Sequence, residues 1–347
     1  MFGRWMTKVG PVFLGGLLAL VAARAEARER RVPERYPTIQ AAVDAAGGGD
    51  VIEVGPGSYC GATIGAPLTL VGHGATIVGC ADGPLIDGDL RAGFYLPGTN
   101  GSSSASGTRI SGFAFDGRGI SQTDLAPLAV GVFARFANRV RVENNLFLGT
   151  VQAVTDTAGD DWVIAGNRIR DLTVFDCTGA LCAGGDGIVI QIARDDVAAP
   201  GGPGAAVNRP ERNVVAGNDV SGAIPDGFAT FSLAGIFVMS ADGTVVTRNR
   251  VSIPDNPSAD ADGDGVLVTD VCCGEPALTP GARNTVVTFN DGRDSQFGVV
   301  VEGTGGENTA GLVLFGNTGP VTVEGTLVDD RAPPRRPHRL FARRTFF

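Results

Sequence analysis

Apolar and polar positions alternate over very short distances along this chain. In "DWVIAGNRIRDL" (161–172) an asparagine stands three residues after one β-branched residue and two before another. The same shape returns as "RNVVAGNDVSG" at 212 and "GTVVTRNRVSI" at 243. The pattern, roughly V-x-x-N-x-V/I, ends on Asn145, Asn167, Asn218 and Asn249, with weaker copies on Asn290 and Asn317. Between the copies runs a second strand type: "VGVFAR" at 130, "GIVIQI" at 187, "GIFVMS" at 235, "GVLVTD" at 265 and "GVVVEG" at 298.

Short β-branched strands separated by polar turns, without helical periodicity between them, exclude a βαβ fold. A β-sandwich accepts the strands but gives no reason for a fixed asparagine. In a single-stranded parallel β-helix each coil lies ~4.8 Å above the last, so equivalent residues stack in rows and side-chain amides bond along the row. The pattern therefore predicts an all-β single-stranded parallel β-helix, a solenoid of roughly ten coils. The asparagines form a structural ladder, placed at a turn where asparagine tolerates left-handed backbone. "TIQAAVDAA" carries Ile39, Ala42, Val43 and Ala46 at helical spacing after Thr38. It predicts one amphipathic helix, N-capped by Thr38, that plugs the first coil.

Composition sharpens this picture at the two ends. "MFGRWMTKVGPVFLGGLLALVAARA" has a basic start, a short apolar core and a small-x-small ending, so residues 1–25 are expected to be a signal peptide. Its apolar run is shorter than the ~20 residues a membrane span requires, and no later segment is longer. Residues 26–330 are then the β-helix domain, and 331–347 a basic Pro/Arg-rich tail. A net charge of −9 argues against nucleic acid as partner. The only lysine, Lys8, lies in the leader. Six cysteines suit an exported protein of the periplasm or the medium. Cys177 with Cys182, and Cys60 with Cys80, are expected disulfides, while Cys272 and Cys273 are left unassigned. With no C-x-x-C pair and two histidines, zinc is disfavoured.

The stretch "YPTIQAAVDAAGGGDVIEVGPGSYCGATIGAPLTLVGHGATIVG" resembles the opening of right-handed parallel β-helix proteins of the pectin lyase-like superfamily. There T-I-Q-x-A-[IV] forms a cap helix and G-D-x-I-x-V-x-P-G-x-Y the first strand and turn. The resemblance covers about 45 residues and implies the fold. Esterases, lyases, hydrolases, epimerases and non-enzymatic proteins share it, so it implies no single activity. The catalytic sets of those enzymes do not carry over. "VQAVTDT" offers Gln152 and Asp156 of a pectin methylesterase-like set without the second aspartate segment. "GDD" at 159–161 and "GHG" at 72–74 occur in the wrong order for a polygalacturonase. The basic residues of a pectate lyase have no counterpart.

Function is therefore sought in what interrupts the repeat. Aligning the second strand type by its glycine puts Val132, Val154, Ile188, Ile236, Val266 and Val299 in one interior row. The adjacent row points outward and is apolar: Phe133, Thr155, Val189, Phe237, Leu267 and Val300. Beyond it lie Arg135, Thr157, Gln191, Met239, Thr269 and Glu302. Insertions at 173–185, 193–212, 223–233 and 271–283 flank these strands. They either cover the apolar row as a satellite core or wall a groove for a sugar chain. In the groove reading Phe133, Arg135, Gln191, Phe237, Met239, Leu267, Thr269 and Glu302 contact a polysaccharide. Asp186 and Asp264 precede equivalent glycines, and stacking them offers a general acid and base for glycoside hydrolysis or lysis. "DADGDG" places Asp260, Asp262 and Asp264 in the alternation of a Ca2+ loop, without the closing glutamate. No cofactor is required, and Ca2+ is the one candidate. The readings left standing are a carbohydrate-binding protein, a structural or surface-display β-helix of the envelope, and a polysaccharide hydrolase or lyase.

Overall fold

A computed structural model describes residues 27–86, 90–99, 101–119, 127–174, 185–193, 208–226, 233–259, 261–270, 281–303, 309–323 and 326–327. The leader, the tail, Asp260, and Cys177, Cys182, Cys272 and Cys273 lie outside the described residues. Three sheets of ten, seven and eleven strands wrap one interior, and every neighbouring pair within them is parallel except the terminal Thr326–Leu327. One coil runs from Arg141–Glu143 in the first sheet to Leu146–Leu148 in the second and Gln152–Thr157 in the third. The next coil re-enters the first sheet at Val163–Ala165. This is the parallel β-helix the repeats predict.

The cap helix is Ile39–Asp44. Thr38 Oγ1 accepts the Ala41 amide at 3.1 Å, and Ile39, Ala42 and Val43 are buried over the first coil. In the upper coils the interior is filled by aromatic rings. Phe115 stacks on Phe147 with centroids 4.6 Å apart, and Phe94 meets Phe115 edge-on at 5.6 Å. Lower coils are filled by Val and Ile. Cys60 and Cys80 form a disulfide, joining neighbouring coils of the second sheet, where Cys60 pairs in register with Val78.

The asparagine ladder is continuous through six coils. Each Nδ2 from Asn145 to Asn290 donates to the Oδ1 of the next asparagine at 2.9–3.1 Å. The same Oδ1 accepts the backbone N–H of the asparagine above. A second bond from each Nδ2 reaches a backbone carbonyl one coil back, such as Ile164 O from Asn218 at 3.0 Å. One expectation needs correcting. The left-handed residue is the one before the ladder asparagine: Asn144, Gly166, Gly217, Arg248, Phe289 and Gly316 have φ of 58, 66, 64, 55, 56 and 68°. Asparagine is used here for its amide. The turn's conformation is carried by its predecessor.

Candidate functional site on the third sheet

Register in the third sheet matches the rows read from the sequence. Val132, Val154, Ile188, Ile236, Val266 and Val299 are successive partners, as are Phe133, Thr155, Val189, Phe237, Leu267 and Val300. The outward row is largely sealed. Phe133 is 7% exposed and packs with Ile86, Leu90, Ala92 and Val130, because the short strand Leu85–Ile86 folds back antiparallel onto Leu90–Leu96. Leu267 and Val300 pack with Ala234, Phe237 and Phe297. Of the eight proposed contact residues, Phe133, Met239, Leu267 and Thr269 are buried, while Arg135, Gln191, Phe237 and Glu302 reach the surface. Tyr95, one rung above Phe133, and Phe297 are also partly exposed, and neither was singled out from the sequence. Their signal was available: both lie at strand positions in register with outward residues.

The glycine that opens each of these strands changes the alternation. A Cβ on Gly131 would meet Phe147 of the interior at 2.4 Å, and one on Gly235 would meet Val251 at 2.1 Å. These glycines therefore sit inward beside an inward valine or isoleucine, and the residue before each glycine faces out. Val130, Gln152, Asp186, Ala234, Asp264 and Phe297 form that outer row. Gln152 and Asp156 accordingly lie on opposite faces. Asp156 pairs with Ala134 and Ile190 in an interior row and is fully buried. Its carboxyl accepts from Gly159 N at 2.8 Å and Asn213 Nδ2 at 3.1 Å, and burial pushes its pKa well up.

Asp186 and Asp264 stand two rungs apart with Ala234 between them, a Cα separation of ~9.6 Å. Asp186 Oδ1 accepts the Ala234 N–H at 3.1 Å, a structural task. Burial nevertheless raises its pKa to about 7, against the lowering effect of that bond. Asp264 is 3% exposed. Glu302, farther down the face, is raised by burial and then by Asp262 and Asp270. Asp262 accepts from Gln296 Nε2 at 3.1 Å, and Asp264 has passed into the strand Gly263–Thr269. Among the described residues no group of three His, Cys, Asp or Glu is arranged to hold a metal. No helix among them is long and apolar enough to cross a membrane.

Comparison with known proteins agrees with this architecture. No protein-family model and no curated protein sequence matches the chain. Among solved structures, the surface adhesin PfbA of Streptococcus pneumoniae is similar over 82% of this chain and 74% of its own, with 14% identity and a TM-score of 0.51. An alginate lyase from Paenibacillus covers 86% of this chain and 98% of its own at 15% identity, TM-score 0.39. The A-module of the Azotobacter vinelandii mannuronan C-5 epimerase AlgE4 covers 82% and 90% at 16% identity, TM-score 0.30. The chain has the right-handed parallel β-helix fold.

Proposed function

We propose that this chain is an exported β-helix protein that binds a polysaccharide along the outer face of its third sheet. The observation that supports this is the placing of partly exposed rings around polar groups on one face. Tyr95 and Phe237 lie four rungs apart, ~19 Å, in one row, and Phe297 closes the neighbouring row. Gln152, Asp186 and Gln191 stand between them, each reaching solvent. Flat rings receive the C–H faces of sugars, while amides and carboxyls bond their hydroxyls; few convergent polar groups on an apolar floor is the usual make-up of a ligand site. A surface adhesin among proteins of this fold accords with display outside the cell, and so does the Cys60–Cys80 disulfide. The test is affinity electrophoresis against neutral and acidic polysaccharides. Retardation by at least one polymer, weakened about tenfold (~1.4 kcal/mol) in Phe237→Ala, is expected. No retardation by any polymer would remove the reading. Mass spectrometry of the exported chain, expected to begin after Ala25, checks the leader.

The raised carboxyl of Asp186 favours a second reading, hydrolysis of the bound polymer with Asp186 as acid and Asp264 as base. Release of reducing ends that is abolished in Asp186→Asn without loss of binding would support it.

A further inference from the structure

The turns that carry the asparagine ladder leave a second concavity, on the opposite side of the coil from the face just described. It lies at the junction of the first and second sheets and has a volume of about 480 Å³, within the ~300–1,000 Å³ of small-molecule sites. Its floor is the left-handed turn row, where Gly74, Gly112 and Gly166 carry no side chain. Farther down, the same row bears Arg248 and Phe289, and there side chains stand in the channel: Phe289 packs edge-on against Phe315 at 5.2 Å with Arg248 over its ring. The opening is thus a consequence of which turn residues are glycine.

One wall is a column of the second sheet, Thr76, Ala114, Leu146 and Arg168, in successive register. The small Thr76 and Ala114 leave room above the larger Leu146. Arg168 is exposed, and its guanidinium has no hydrogen-bond or ion-pair partner among the described residues. Asp219, one rung below it, is instead held by Arg170. Asn144, whose backbone is left-handed, lines the same space, and its side-chain amide has no hydrogen-bond partner among the described residues. One cation, one free amide and one hydroxyl surround an apolar patch made by Ala114 and Leu146.

We propose that this groove binds a carboxylated sugar, a hexuronate, with its carboxylate on Arg168 and its hydroxyls on Asn144 and Thr76. A guanidinium matches a carboxylate with two parallel N–H donors. The cavity offers that match beside an apolar surface for the pyranose ring. The site is separate from the third sheet and does not depend on its function.

The test is titration of ¹⁵N-labelled full-length protein with sodium glucuronate, glucose and sodium acetate. Saturable shifts of the Asn144 side-chain amide and the Gly112 and Gly166 amides are expected. Glucuronate should bind at least ~10-fold more tightly than either glucose or acetate, as a lost carboxylate pair of ~1.4 kcal/mol implies. Arg168→Gln should weaken binding about tenfold, and Gly74→Asn, whose Cβ would meet Pro56 only at ordinary contact distance, 3.6 Å, should weaken it by filling the floor. Arg250→Gln, an equal charge in the same column but outside the groove, should bind as wild type. Equal affinity for glucose and glucuronate, an equal effect of Arg168→Gln and Arg250→Gln, or no saturable shift would each overturn the proposal.

Discussion

Asn167 Nδ2 donates to Asn218 Oδ1 at 3.0 Å although 51 residues of chain separate them, against 22 between Asn145 and Asn167. The ladder step is the same whatever length of loop departs and returns. Register is thus fixed by buried amides at one corner of the coil, and loop length varies without disturbing it.

Removing a middle rung should be costly. Asn218→Ala strips the buried Asn167 N–H of its partner and takes one hydrogen bond each from Asn167 Nδ2, Ile164 O and Asn249 Oδ1. At ~1–3 kcal/mol for a buried group left unsatisfied, a loss of at least ~3 kcal/mol is expected in urea denaturation. A loss below ~1 kcal/mol would show that the ladder is replaceable by water.

Two glycines separate conformation from space. Gly217 has φ 64° and nothing within 4 Å of a built Cβ, so Gly217→Ala carries only the left-handed penalty of ~1–2 kcal/mol. Gly235→Ala drives a methyl to 2.1 Å from Val251 Cγ1 and should cost more, ~3 kcal/mol. Equal thermal shifts for the two variants would contradict the inward placing of Gly235.

Acids in this chain pull stability in opposite directions with pH. Asp156 and Asp186 have raised pKa values in the folded state, Asp186 to about 7. Their contribution is complete below the unfolded value of ~3.9 and is lost as pH rises, for Asp186 through about 7. Asp50 is the reverse. The Arg28 and Gly47 amides, then Arg30, hold it down at about 2, so its contribution, on the order of 2 kcal/mol, is present above ~3.9 and lost towards pH 2. Denaturation midpoints of Asp156→Asn should fall less than wild type between pH 5 and pH 9. Those of Asp50→Asn should fall less between pH 5 and pH 2.

The disulfide closes a loop of 20 residues. Loop-closure entropy puts its contribution at ~3 kcal/mol. A Cys60→Ser, Cys80→Ser double variant is expected to lose about that amount in urea. Adding reductant should shift wild type to the midpoint of the variant in the same reductant.

The interior and outward rows were legible because a strand's side chains alternate with period two, so aligning Gly131, Gly187, Gly235 and Gly265 aligned everything after them. What preceded the glycine was not legible. Strict alternation from Val266 puts Asp264 inside, whereas the inward Gly265 turns it out, and only the contact a Cβ would make reveals this. The ladder was legible from Asn145 to Asn317, but its left-handed position was assigned one residue too late. Phe289 and Arg248 occupy that position and give no local hint of it. Burial of Phe133 depends on the return of Leu85–Ile86 across the face, a tertiary contact between residues that no periodicity links.

The amide ladder begins only at Asn145. The coils before it are bound together by different means, the Cys60–Cys80 bond and the ring stack from Phe94 to Phe147. The molecule is therefore a rod with two kinds of fastening. Of these two fastenings only the disulfide answers to the redox state of the surroundings, so in a reducing compartment the coils joined by Cys60 and Cys80 should loosen while the amide ladder keeps its pitch.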